Sequence, residues 1–62
     1  MRSEYHIGQN VRLNTSDDWN NYYGIIDNII CDVILVVCVL RPWEIYCVNM
    51  RDADSILKSV DF

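Results

Sequence analysis

Val33-Ile-Leu-Val-Val-Cys-Val-Leu40 is an unbroken run of eight apolar residues in a chain of only 62. Valine supplies half of it, which favours a strand. Side chains alternate faces along a strand, so a strand with one wet face reads apolar, polar, apolar. This run does not alternate. A chain so short builds one core, and one face of the strand serves it. The other face then presents apolar side chains that need a cover, either a partner protein or a second copy of the chain. The run is also far shorter than the roughly 20 residues of a membrane-spanning helix.

The rest of the composition agrees with one small globular domain, residues 1–62. At 52% hydrophobic residues the chain is too apolar for a disordered tail. Its formal net charge is -4, with a single lysine, Lys58, among its five basic residues. Phosphate contacts supply most nucleic-acid affinity, so that charge disfavours nucleic-acid binding. It also disfavours docking on an anionic membrane surface. A partner with a basic surface is the better match. The first residues, Met1 to His6, are polar and lack the apolar stretch of a signal peptide. We expect a mobile segment over 1–6, a cytoplasmic location, and three reduced cysteines buried as small hydrophobes.

Outward from the valine run, the pattern predicts further strands. Gln9-Asn-Val-Arg-Leu13 alternates and reads as a first strand. Asn14 to Tyr23 is polar and aromatic, a loop. Gly24 to Ile30 reads as a second strand, bent or bulged at Asp27-Asn28, and Asp32 turns the chain into the third strand, Val33 to Leu40. Arg41-Pro42 reads as a turn, since proline has no N–H for a ladder. Trp43 to Val48 is a fourth strand. Asp52 and Asp54 are N-cap candidates for one or two helical turns, and Ser59 to Phe62 suits a short closing strand. The order predicts an all-β, SH3-like barrel of about five strands with a short C-terminal helical turn. The alternative is an α+β domain whose C-terminal helix crosses the open sheet and covers the apolar strand.

Little in the sequence points to catalysis. The one histidine, His6, has no tie to a nucleophile, and no glycine-rich phosphate loop occurs. Cys31, Cys38, Cys47 and His6 have the count for a zinc site, but lack the close pairs such sites use. No catalytic residue, metal or cofactor is therefore expected. The loop is more informative. Asp17, Asp18, Trp19, Tyr22 and Tyr23 fall within seven residues. Acids beside aromatic faces suit a cationic group or a proline-rich peptide. The alternative is that these aromatics fold inward and close the end of the barrel.

Val11-Arg-Leu13 followed by Asp18, Tyr22, Tyr23, Gly24-x-Ile26 and Trp43 resembles the pattern of small SH3-like subunits, such as the ferredoxin-docking S subunits of photosynthetic NADH-dehydrogenase-like complexes. Gly24-x-Ile26-x-x-Ile29 is also similar to the KOW element of ribosomal and transcription proteins. The resemblance implies the barrel. Its KOW side also implies a second function class, nucleic-acid or ribosome association, set against a non-catalytic interaction module such as an adaptor, complex subunit or inhibitor.

A hairpin loop over Arg41 to Glu44 sets Leu40 opposite Ile45 and Cys38 opposite Cys47. Ile34, Val36, Cys38, Leu40, Ile45 and Cys47 then share the inner face with Val11, Leu13 and Ile26. Val33, Leu35, Val37, Val39, Tyr46 and Val48 share the outer one. Tyrosine, with a polar tip, suits the wetter side. We therefore expect an outward apolar patch carrying Val37, Val39, Tyr46 and Val48, buried in a homodimer or against another protein.

Overall fold

The computed structural model describes residues 5–60, and residues 1–4, most of the expected mobile segment, lie outside that range. Five strands form one antiparallel sheet: β1 Asn10–Leu13, β2 Tyr23–Ile30, β3 Val33–Cys38, β4 Arg41–Asn49 and β5 Leu57–Ser59. A 3-10 turn, Met50–Asp52, and a single turn of helix, α1 Ala53–Ile56, link β4 to β5. The strand order is β4-β3-β2-β1-β5, a meander whose last strand returns beside the first. This is the expected all-β class. β4 and β5 are edges rather than neighbours, so the sheet curls around its core without closing. The α+β alternative is excluded by the four-residue length of α1.

The core takes one face of each strand. Val11 and Leu13 from β1, Ile26 from β2, Ile34, Val36 and Cys38 from β3, and Val48 from β4 are buried together with Ala53 and Leu57. Each such aliphatic side chain contributes about 1.5–3 kcal/mol by leaving water. Ala53 and Leu57 place the C-terminal segment on the inner side. The outer face is left open.

Two irregularities set the register. Ile26 pairs with Val36 but Asn28 pairs with Leu35, so β2 carries the bulge expected at Asp27-Asn28. The β2–β3 hairpin turns through Cys31-Asp32, with Cys31 in the left-handed region at φ 54°. The second irregularity overturns the expected β3–β4 pairing. Val37 pairs with Ile45, whereas Cys38 pairs with Arg41. The chain therefore turns at Val39-Leu40, and Pro42 to Glu44 bulge out of β4. Proline is tolerated there because a bulge asks for no ladder N–H.

That bulge sets every later residue of β4 three positions away from its expected partner on β3, and an odd shift swaps the faces. Val48 is buried, and Tyr46 packs against the core. Ile45 is 53% exposed and Leu40 67% exposed, while Cys47 is exposed too. Cys47 opposes Leu35, not Cys38. Of three cysteines expected inside, only Cys38 is buried, because Cys31 occupies the tight turn and Cys47 the outer face. The cap also differs. Asn49 accepts a hydrogen bond from the Arg51 N–H at 3.2 Å, and Asp52 makes no side-chain cap. The closing strand forms at Leu57–Ser59, paired with β1; of the expected Ser59 to Phe62, Asp61 and Phe62 lie outside the described residues.

Candidate interaction surface

The loop between β1 and β2 is organised by one carboxylate. Asp17 accepts from the Thr15 hydroxyl at 2.5 Å and from the Trp19 N–H at 2.9 Å through one oxygen. Its other oxygen accepts from the Tyr46 hydroxyl at 3.0 Å. The Thr15 hydrogen bond, ahead of those from Trp19 and Tyr46, holds the Asp17 carboxyl below its usual range. Burial, then the bond to Asp17, pushes the Tyr46 phenol up. This explains why Tyr46 sits on the inner side: its polar tip has a partner there.

Trp19 packs between Tyr22 and Tyr46, with ring centroids 5.6 and 5.1 Å away and tilted planes. Such tilted pairs suit the ring quadrupoles. The Arg41 guanidinium carbon stands 4.7 Å from the Trp19 centroid and 5.4 Å from that of Tyr22. The aromatic faces that suit a cation thus hold one from the same chain. Arg12 steadies the far end of the loop by donating to the Asn21 side chain at 2.8 Å.

The five loop residues therefore separate. Asp17, itself exposed, joins the half-buried Trp19, Tyr22, Tyr46 and Arg41 in one cluster. Asp18 is exposed. Tyr23 opens β2 and stands 46% exposed on the opposite face of the sheet. Sequence reasoning missed Arg41 because nothing local ties it to Trp19, twenty-two positions away.

The outer face is the second surface. The β-ladders set Ile45, Val37 and Ile25 in a row across β4, β3 and β2. Cys47, Leu35 and Asn28 form the next row. Beside them runs a groove of about 450 Å³ lined by Ile7, Ile25, Val37, Val39 and Pro42, with Asp27 as its charged residue. The hairpin tip adds Val39, Leu40 and Trp43, exposed by 70%, 67% and 75%. Arg12 and Lys58, which pair across β1 and β5, lie at the far end of the sheet. Val37 and Val39 thus belong to the surface assigned to them from sequence. Tyr46 and Val48 do not, and Ile45 and Cys47 take their places.

No three His, Cys, Asp or Glu side chains come together as metal ligands among the described residues. No helix among them is long and apolar enough to cross a membrane. No family model matches the chain, and no curated protein or solved structure shows significant similarity to it.

Proposed function

We propose that the chain is a non-catalytic protein-interaction module whose outer sheet face seats a partner with an apolar centre and basic flanks. One observation carries this reading: Ile25, Val39, Trp43 and Ile45 remain open to water around a half-buried Val37, on a domain that has little apolar area to spare. Contiguous apolar area of that kind marks interfaces on soluble proteins. The partner's basic character follows from charge. The groove carries Asp27, Glu44 is exposed in the β4 bulge, and the chain as a whole stands at -4. Complementary charge raises association rate and fixes orientation. The loop contributes Asp18 and Tyr23 at the rim, while Arg41 fills the aromatic shelf behind them.

Affinity purification with wild type and Val37→Asp tests this. Val37 is partly buried at the centre of the face, so a charge there weakens docking while the inner core stays intact. The proposal predicts that partners carrying basic surface segments are recovered with wild type and lost with Val37→Asp. Recovery of the same partners with both proteins would place the contact elsewhere. The KOW-like reading is checked by a mobility-shift titration at low salt. Tight RNA or DNA binding there would overturn the proposal in favour of nucleic acid.

A further inference from the structure

β4 is the longest strand, nine residues, and it lies at an edge. The direction of its free backbone groups can be worked out. The Met50 N–H donates to the Asp32 carbonyl at 2.7 Å, on the register line that pairs Val33 with Asn49. In an antiparallel ladder, hydrogen-bonded pairs alternate with non-bonded ones. Val48 and Tyr46 therefore turn their N–H and C=O groups toward β3. Ile45, Cys47 and Asn49 turn theirs outward, where no described strand meets them.

Natural edges are blunted by proline, charge, bulges or short length. β4 has three of these devices, Pro42, Glu44 and the bulge, but all lie in its first half. Ile45-Tyr-Cys-Val-Asn49 is regular, uncharged and free of proline. An open stretch of five residues with alternate outward-facing backbone groups is a docking site for another strand.

We propose that this edge pairs with the same edge of a second copy, antiparallel about a twofold axis through Cys47. That register places Cys47 opposite Cys47 of the partner copy and Ile45 opposite Asn49, all from the outward-facing set. The backbone pattern is then self-complementary, as an isologous contact must be. Charge selects the same arrangement. Running antiparallel, the Glu44 end of one strand meets the Arg51 end of the other, twice. Both side chains are exposed and neither forms an ion pair among the described residues. The result is a ten-stranded sheet whose two outer faces lie side by side. The inference does not rest on the partner proposed above, because it uses the edge of the sheet and not its face.

Sedimentation equilibrium with four proteins tests it. Wild type is expected at twice the 7.3 kDa protomer mass. Cys47→Pro removes an outward N–H that β3 does not use, and should weaken the dimer at least about tenfold. Cys47→Lys keeps the backbone but sets two charges against each other on the axis. It should act alike, and it serves if the proline variant fails to fold by circular dichroism. Val37→Asp should leave the dimer intact. Oxidised glutathione gives an independent reading, since it accepts the two electrons and two protons released when two thiols join. Facing residues of a bonded pair have Cα atoms about 5.5 Å apart, within disulfide range. A covalent dimer lost in Cys47→Ser but retained in Cys31→Ser is expected. A wild type that stays monomeric at millimolar concentration would overturn the proposal. So would a dimer that survives both Cys47→Pro and Cys47→Lys, or one that Val37→Asp abolishes.

Discussion

Gly24 is the tightest point between β2 and β3, and replacing it with alanine gives a quantity that can be worked out beforehand. A Cβ at this position falls 2.7 Å from the Val37 carbonyl oxygen, 2.9 Å from the Val36 Cγ1 and 3.2 Å from the Cys38 Cα. Ordinary carbon–oxygen contacts between strands are about 3.3–3.6 Å. The shortfall of roughly 0.6 Å falls on a backbone oxygen, which has no rotamer to change. Val36 can adjust only within a closed core. Relief must come from parting β2 and β3 at the middle of the sheet. Overpacking of this kind costs about 1–3 kcal/mol. The loss of glycine's unfolded-state freedom returns roughly 0.4–1 kcal/mol. A net loss of about 1–2 kcal/mol is a large share of the roughly 3–9 kcal/mol expected for a domain of this size. At about 4–8 °C per kcal/mol, the melting temperature should fall by roughly 4–16 °C. Thermal and urea melts followed by circular dichroism measure it. Gly8→Ala is a useful contrast, since Gly8 has φ 91° with open space around it, so any loss there is backbone strain without contact. A Gly24→Ala protein as stable as wild type, or more so, would refute the argument that strand spacing at Gly24 is limiting.

Three further outcomes follow from the register and the loop. Val48→Asp should unfold the domain whereas Ile45→Asp leaves it folded, read by circular dichroism; the opposite ranking restores the register without the bulge. Ellman's reagent should titrate Cys31 and Cys47 rapidly and Cys38 only on unfolding, since burial also pushes the Cys38 thiol up. Asp17 has a folded-state pKa lowered from 3.8, so its contribution is complete above that value and is lost as pH falls through the lower folded one. Tyr46→Phe removes one of the bonds that hold it down, and a carboxyl-detected titration should show the Asp17 midpoint move back toward 3.8.

Alternation and turn chemistry made much of the fold legible. Val11 and Leu13 flank a polar residue and face the core. Asp27-Asn28 interrupts an apolar strand and forms the bulge. What escaped was the placement of Pro42. A proline after a strand reads as a turn, and a turn there fixes a register. Here the turn comes earlier, at two apolar residues with no turn signature, and the proline sits in a bulge. The two registers differ by three residues, an odd number, which suffices to exchange Tyr46 and Val48 with Ile45 and Cys47. The loop cluster escaped for a different reason. Asp17, Trp19 and Tyr22 carry a local signal, but Arg41 and Tyr46 reach them only once β4 has been laid beside β3.

The pairing of β1 with β5 has a consequence for how the domain is held. The Val60 N–H donates to the Asn10 carbonyl at 3.2 Å, and the Gln9 side chain donates to the Ser59 hydroxyl at 2.9 Å. Both ends of the described chain thus leave from one flank of the sheet. Followed along the curled sheet, the free edge of β4 lies four strand spacings away, about 19 Å of path at 4.8 Å each. A linker, tag or neighbouring domain attached at either end would tether the molecule by that flank. The outward backbone groups of β4 would then stay clear of the tethered strands, while Ile7, near the tether, already borders the outer face.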